Sequence, residues 1–156
     1  MSLLAELFAA AIGTVAFSVL FFVPRKYYAF CGICGAAGWA VYAVLTGRGV
    51  SATESTFYAT LAVIFLSRLF AVAERCPATL FLIPGIFPLV PGAGVYWTSY
   101  HIVTNDLEMA SQTGFAALKV AVAIVLGIIF VFEIPQGVFA VLAGKKREEG
   151  AGKKKS

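Results

Sequence analysis

Apolar residues in this chain fall into five long stretches, separated by short polar or turn-forming segments. Each stretch is close to or above the ~20 residues that a helix needs to cross a bilayer. Ser51 and Glu54 match a capping box, which would begin the third helix a few residues early. The pattern predicts an all-α, polytopic integral membrane protein with about five transmembrane helices, at residues 3–23, 28–45, 55–73, 78–104 and 113–143.

The fourth stretch departs from a regular helix. From Cys76 to Asn105 it contains no Asp, Glu, Lys or Arg, so it is apolar enough to span a bilayer. Its three internal prolines, Pro84, Pro88 and Pro91, each remove a helical hydrogen bond, and lipid cannot satisfy the freed backbone groups. Transporters place their substrates at such breaks. We therefore predict substrate-binding residues in this segment, namely Pro84, Gly85, Pro88, Pro91, Gly92, Gly94 and Tyr96.

The chemistry expected of this break is the binding of a carboxylate. A half-helix that starts inside the membrane points free N–H groups and the positive end of its dipole at the interior. The glycines allow positive φ and a close approach of the backbone to a ligand. Aromatic residues are candidates for the walls of the cavity, and the alternative is a kinked or re-entrant segment that only fills space. The aromatic candidates are Phe81, Phe87, Tyr96 and Trp97.

Charge placement adds an orientation to this picture. The chain is 60% apolar and 13% charged, against about a quarter charged in soluble domains. With five spans, one side holds Arg25, Lys26, Arg75 and six basic residues of the tail, while the other side holds Arg48. Because short cytoplasmic loops carry the basic residues, we expect the N-terminus outside and the C-terminus in the cytoplasm. Residues 1–144 would then form the membrane domain and 145–156 a basic cytoplasmic tail. The tail is interpreted as a topology signal facing lipid, with no nucleic acid as partner.

Four charged residues fall within the predicted spans, where a central charge costs ~2.5 to 3.5 kcal/mol. Arg68 is a candidate anchor for an anionic substrate, or else a structural ion pair or a side chain that reaches the interface. Glu133 is a candidate for proton coupling, or else the partner of Arg68. Lys119 and Glu6 lie near the outer ends of their spans and are expected to pair or to reach the interface.

The second span carries small residues at helical spacing, which indicates close helix packing and a central position in the bundle. Cys31 and Cys34 are spaced like a redox pair, but their apolar, glycine-rich surroundings favour a packing role. With one histidine and no zinc-type spacing, we predict no metal site. Motifs of hydrolases, zinc proteases and nucleotide-binding enzymes are absent from the sequence, so we predict neither an enzyme nor a cofactor.

Several of these residues together resemble the threonine/serine exporter family, specifically its shorter, C-terminal half. The resemblance covers most of residues 17–135 and is densest around the broken span. It is carried by Val23-Pro24, Gly32, Gly35-Ala36, Gly38, Ser67-Arg68, Pro77 and the run from Ile83 to Tyr96.

The resemblance implies a bacterial inner-membrane exporter of small amino acids or related small carboxylates, driven by the proton motive force. It also implies Arg68 and the Pro-Gly positions as site residues, and a longer membrane chain of the same family as partner. Five spans without an internal repeat are few for a two-half rocking mechanism, which supports a partner chain, a homo-oligomer, or both. Two alternatives are a non-transporting scaffold subunit and a homo-oligomeric channel.

Overall fold

The computed structural model describes residues 3–135 and 138–139, and every regular element in this part of the chain is a helix. Four helices are each long and apolar enough to cross a membrane, and a bent pair of shorter helices makes a fifth when the pair is counted as one span. The predicted all-α membrane fold with a broken fourth span is therefore confirmed. The helices are α1 (Leu3–Leu20), α2 (Tyr28–Gly47), α3 (Ala52–Glu74), α4 (Thr79–Ile86), α5 (Gly92–Val103) and α6 (Leu107–Phe132), with 3-10 turns at Arg25–Tyr27 and Phe87–Leu89.

Polar caps set the starts of α3 and α6. The Ser51 hydroxyl accepts a hydrogen bond from the Glu54 N–H (3.3 Å) and donates one to the Glu54 carboxylate (2.9 Å), so the predicted N-cap is confirmed. The Asp106 carboxylate accepts from the Met109 N–H (3.2 Å) and begins α6 six residues before the predicted span. Both caps satisfy amide groups that a helix leaves without partners in its first turn.

The end of α6 differs from the predicted long fifth span. The helix stops at Phe132, and the Ile134 N–H bonds to the Val131 carbonyl in a tighter turn. The cause is Pro135, because a proline disfavours the helical conformation of the residue before it. Residues 140–143 of the predicted span and the predicted tail at 145–156 lie outside the described residues.

Helix α2 is the centre of the bundle, as its small residues predicted. It packs against α1, α3 and α4. A Cβ atom at Gly35 would lie 1.9 Å from the Thr14 hydroxyl of α1, and one at Gly38 would lie 2.4 Å from a methyl of Val63 in α3. Both positions therefore need glycine, because neighbouring helices occupy the space of a side chain.

One end of the bundle gathers the turns that carry basic residues. Val23 and Tyr27, which flank the turn after α1, share a buried cluster with Ala71 and Phe81 from either side of the turn after α3. These two turns hold Arg25, Lys26 and Arg75, while Arg48 follows α2 at the opposite end. The grouping of basic loops that the five-span topology predicts is thus present in the fold.

Large apolar side chains remain exposed around the outside of the bundle. Phe8 on α1 and Phe115 and Phe130 on α6 are 68%, 65% and 61% exposed. Such a surface is unfavourable in water and is expected where lipid tails surround the protein.

Candidate functional site

The fourth span is bent by 50° between the α4–turn segment and α5. Pro84 lies inside α4, Pro88 lies in the 3-10 turn, and Pro91 immediately precedes α5. Three prolines in eight residues free three carbonyl groups that a regular helix would have paired. The bend therefore follows directly from the sequence.

Each freed carbonyl finds a donor within the chain. The Leu80 carbonyl, which Pro84 deprives of its helical partner, accepts from the Cys31 thiol of α2 (3.4 Å). The Pro84 carbonyl accepts from the Phe87 N–H, and the Phe87 carbonyl accepts from the Val90 N–H (3.2 Å). This is the protein environment that broken backbone needs at membrane depth. The bond from Cys31 was missed by sequence reasoning, although its position in a helix predicted to be central was a usable signal.

The start of α5 is set by a tight turn at Pro91. With φ −76° and ψ 53°, Pro91 is close to an inverse γ-turn, and the Gly92 N–H donates to the Val90 carbonyl (2.7 Å). The first amide that closes the helix is that of Val95, which donates to the Pro91 carbonyl (3.1 Å). The predicted donor Gly92 is therefore already engaged, and the amides of Ala93 and Gly94 are the ones without an intrahelical acceptor.

The three glycines of this segment have different surroundings. A Cβ at Gly85 would lie 3.0 Å from Val63 and 3.1 Å from Cys34, and one at Gly94 would lie 3.0 Å from Ala117. At Gly92 nothing beyond its own chain neighbours lies within 4 Å. Among the described glycines, positive φ occurs at Gly49 and not in this segment. Gly85 and Gly94 thus permit close helix packing, and Gly92 borders open space.

The aromatic residues predicted as cavity walls divide into two groups. Phe81 is fully buried, with its ring edge-on to Tyr27 (5.4 Å between centroids), and Phe87 stacks on Phe17 (3.9 Å). Both therefore belong to the packing of the bundle. Tyr96 and Trp97 are 62% and 50% exposed on α5. These two remain accessible beside the open space at Gly92.

Arg68 lies at the end of the bundle where α3 and α6 finish. Its side chain is 7% exposed, and its Nη1 donates to the carbonyl of Val131 and to that of Phe132 (3.4 Å). The guanidinium also lies over the rings of Phe139 (4.4 Å) and Phe132 (5.5 Å). A cation at the C-terminal carbonyls of a helix is favoured by the helix dipole. Arg68 thus caps α6 from a neighbouring helix.

The expected pairs of Arg68 with Glu133 and of Glu6 with Lys119 are not among the ion pairs of the described residues. Glu133 is exposed and follows the last residue of α6, whereas Arg68 contacts carbonyls of that helix. Glu6 instead accepts a hydrogen bond from the Trp39 ring N–H (3.2 Å), because α1 packs on α2. These predictions of pairing were wrong about the partners.

Arg68 is not brought together with Gly92. It lines a cavity with residues of the last turns of α3 and with the turn between α3 and α4, from Arg75 to Ala78. Gly92 is not among the described residues that line this cavity, and the whole of α4 lies between it and Ala78. The predicted site residues therefore fall into two separate places, the Pro-Gly break and the Arg68 cavity. Arg75 was missed as a companion of Arg68, although a spacing of seven residues puts both on one helix face.

A family model described as "Threonine/Serine exporter, ThrE" matches residues 6–134. A Mycobacterium tuberculosis protein described as "Probable threonine/serine exporter" is 25% identical over 123 residues, which are 76% of this chain and 23% of that protein. An uncharacterized protein of Haemophilus influenzae is 29% identical over 96 residues, 62% of this chain and 32% of that protein. No solved structure gives a significant match.

The chain spans about a quarter to a third of the length of these curated relatives. The family match, in contrast, covers both the kinked span and Arg68 and most of the rest of the chain. With its membrane-spanning helices, the chain is a multi-pass membrane protein. It belongs to the threonine/serine exporter family.

Proposed function

We propose that this chain is a membrane subunit of an exporter that moves small amino acids or related small carboxylates out of a bacterial cell. The single observation that carries the proposal is the kinked fourth span in a member of an exporter family. Such a break places the N-terminus of a half-helix inside the membrane, where it favours a carboxylate. We place the carboxylate at the start of α5, near the amides of Ala93 and Gly94.

Two features of α5 support this position. The space beside Gly92 is open, so a solute has room to approach the first turn of the helix. Tyr96 lies one helical turn further on, is exposed, and offers a ring and a hydroxyl for contact with a solute. Pro84, Pro88 and Pro91 act in this proposal by setting the bend, and Gly85 and Gly94 by letting the helices approach.

We further propose that the subunit works with a longer membrane chain of the same family. The support is the coverage of only a quarter to a third of the relatives, together with the absence of any buried residue on α5 among the described residues. We also propose an inner-membrane location, which the family resemblance implies, with the N-terminus outside. The basic turns at one end of the bundle support this orientation. In that orientation the Arg68 end faces the cytoplasm.

The test of the carboxylate position is a substitution that fills the open space. In cells loaded with a threonine dipeptide, Gly92→Leu is expected to lower threonine efflux at least tenfold at unchanged protein level. The matched control is Gly13→Leu on α1, where a side chain also meets open space. Unchanged efflux in Gly92→Leu would remove the start of α5 from the mechanism.

We propose that Glu133 carries the coupled proton. It is an exposed carboxylate and lies on the cytoplasmic side in this orientation. Glu133→Gln is expected to abolish the dependence of efflux on an imposed pH gradient, whereas Glu108→Gln, exposed at the other end of α6, keeps it. Efflux that still follows the gradient in Glu133→Gln would assign the proton to another residue.

Reconstitution separates the subunit from its alternatives. In proteoliposomes, the two chains together are expected to give saturable, gradient-coupled threonine flux that neither chain gives alone. Full flux from the longer chain alone would make this chain a scaffold. A high unitary conductance from this chain alone would make it a channel.

A further inference from the structure

The Arg68 cavity lies between the end of α3 and the start of α4. Its volume is about 420 Å³, within the range of about 300–1,000 Å³ that is usual for small-molecule sites. Two of the described lining residues are arginines and none is acidic. These residues are Arg68, Ala71, Val72, Arg75, Cys76, Pro77 and Ala78.

Arg68 is fixed in this cavity but only partly paired. Its recorded hydrogen bonds, to the carbonyls of Val131 and Phe132, are both made by Nη1. A guanidinium carries five N–H donors. The donors on Nε and Nη2 have no acceptor among the described residues. Capping α6 therefore uses one nitrogen and leaves donors of the same cation for another acceptor.

Arg75 adds a second positive charge two helical turns along the same face of α3. It ends α3 in the left-handed conformation (φ 54°), and the Cys76 N–H bonds back to the Ala71 carbonyl (3.0 Å). Glycine is the residue that usually takes this position in a helix C-cap. An arginine at this position adds a second cation to the residues that line the cavity.

The third element of the cavity is the turn that leads into α4, from Cys76 to Ala78. Ala78 is the N-cap of α4 and provides no side-chain cap. The amides of Leu80 and Phe81 are used, bonding to the carbonyls of Pro77 (3.2 Å) and Ala78 (3.1 Å). The preceding amides of Ala78 and Thr79 are free to face an anion, and the helix dipole favours negative charge at this end.

We propose that Arg68, Arg75 and the turn that leads into α4 form a binding site for a small anion, a carboxylate or a phosphate group. Two guanidinium groups and free backbone amides are the donors that such groups prefer, and the described lining offers no carboxylate to neutralise them. The anion has two possible sources, a soluble carboxylate or phosphate and the headgroup of an anionic lipid. Gly92 is not among the described residues that line this cavity, and the site does not depend on the proposed export function.

The test uses the full-length protein in nanodiscs of phosphatidylcholine, titrated by calorimetry with malonate and with inorganic phosphate. The wild type is expected to bind at least one of them, and Arg75→Gln to weaken binding at least about tenfold, the loss expected for a charge-assisted hydrogen bond. Arg48→Gln, which removes one exposed arginine at the opposite end, is expected to change affinity less than twofold. Arg75 is exposed, so its substitution leaves the packing intact.

A lipid source is tested in nanodiscs that contain phosphatidylglycerol. If the headgroup occupies the site, native mass spectrometry shows phosphatidylglycerol retained on the wild type and on Arg48→Gln but lost from Arg75→Gln. Arg68→Lys keeps the positive charge but removes the planar guanidinium group. This variant should no longer bind the anion, although the protein remains folded. The proposal is overturned if the wild type binds neither solute nor phosphatidylglycerol, or if Arg48→Gln and Arg75→Gln weaken binding equally.

Discussion

The two halves of the kinked fourth span both lack Asp, Glu, Lys and Arg but have opposite surroundings. Helix α4 packs against α1, α2 and α3 and buries Phe81, Leu82, Pro84 and Gly85. Helix α5 has α6 as its main neighbour and buries none of its residues. The absence of charge in both halves does not reveal this difference in packing.

The difference shows how one break in a helix serves two purposes. On the α4 side, a thiol and two backbone amides satisfy the freed carbonyls, so the break is closed by the chain itself. On the α5 side, the first turn borders open space and keeps two amides without helical partners. We therefore treat α4 as the structural half and α5 as the half that meets a solute or another chain.

The largest expected effect comes from the same substitution made in each half. Gly85→Leu drives a side chain into Val63 and Cys34, and we expect a loss of more than about 3 kcal/mol and little folded protein. Gly92→Leu meets open space and should leave the thermal unfolding temperature within a few degrees of wild type. Size-exclusion profiles in mild detergent measure the amount of folded protein, and thermal melts measure the unfolding temperature of each variant. Equal destabilisation of the two variants would contradict the division of the span.

A smaller effect is expected from truncating one aromatic ring in each half. Phe81 is fully buried, and Phe81→Ala should lower the free energy of unfolding by about 3 kcal/mol through the cavity it leaves. Tyr96 is exposed, and Tyr96→Ala should change the free energy of unfolding by less than about 0.5 kcal/mol. Unfolding in a denaturing detergent titration gives both values. A large effect of Tyr96→Ala on the isolated chain would mean that α5 is packed more fully than its exposure indicates.

The helices could be predicted from the sequence because apolar stretches indicate their lengths, and capping residues and prolines mark where they begin and end. Long apolar stretches define the spans, Ser51 marks the start of α3, and the prolines mark the bend. The early start of α6 was also encoded, since Asp106 precedes an acidic first turn. Hydropathy overlooks such a start because the first turn of this helix contains polar residues.

What the sequence does not contain is the choice of neighbours. Glu6 was expected near Lys119 because both lie at the same depth, but α1 packs on α2, so Glu6 meets Trp39. Arg68 was expected near Glu133 for the same reason, yet it reaches main-chain carbonyls of α6. Depth follows from the position along a span, whereas contact depends on the rotation and order of the helices. The cavity that joins Arg68 to Arg75 depends on where α4 begins relative to α3.

The smallest expected effect tests how the α4 half closes its break. Cys31→Ala removes the thiol that donates to the Leu80 carbonyl and leaves a buried acceptor without its partner. We expect a loss of about 1–2 kcal/mol, the cost of an unsatisfied buried group. Cys31→Ser keeps a donor and should recover most of the loss.

The matched control for this prediction is Cys34, one turn further along α2 and equally buried. Its sulfur only accepts a long contact from the Ser67 hydroxyl (3.8 Å), which already donates to the Val63 carbonyl (2.7 Å). Cys34→Ala therefore removes the same volume without freeing a backbone carbonyl and should cost less than Cys31→Ala in thermal melts. If the two alanine variants lose equal stability, the loss comes from the removed side-chain volume, and the Leu80 carbonyl does not need the thiol as a donor. If Cys31→Ala alone is destabilised and serine restores it, the thiol is the group that lets a proline-broken helix pack at membrane depth.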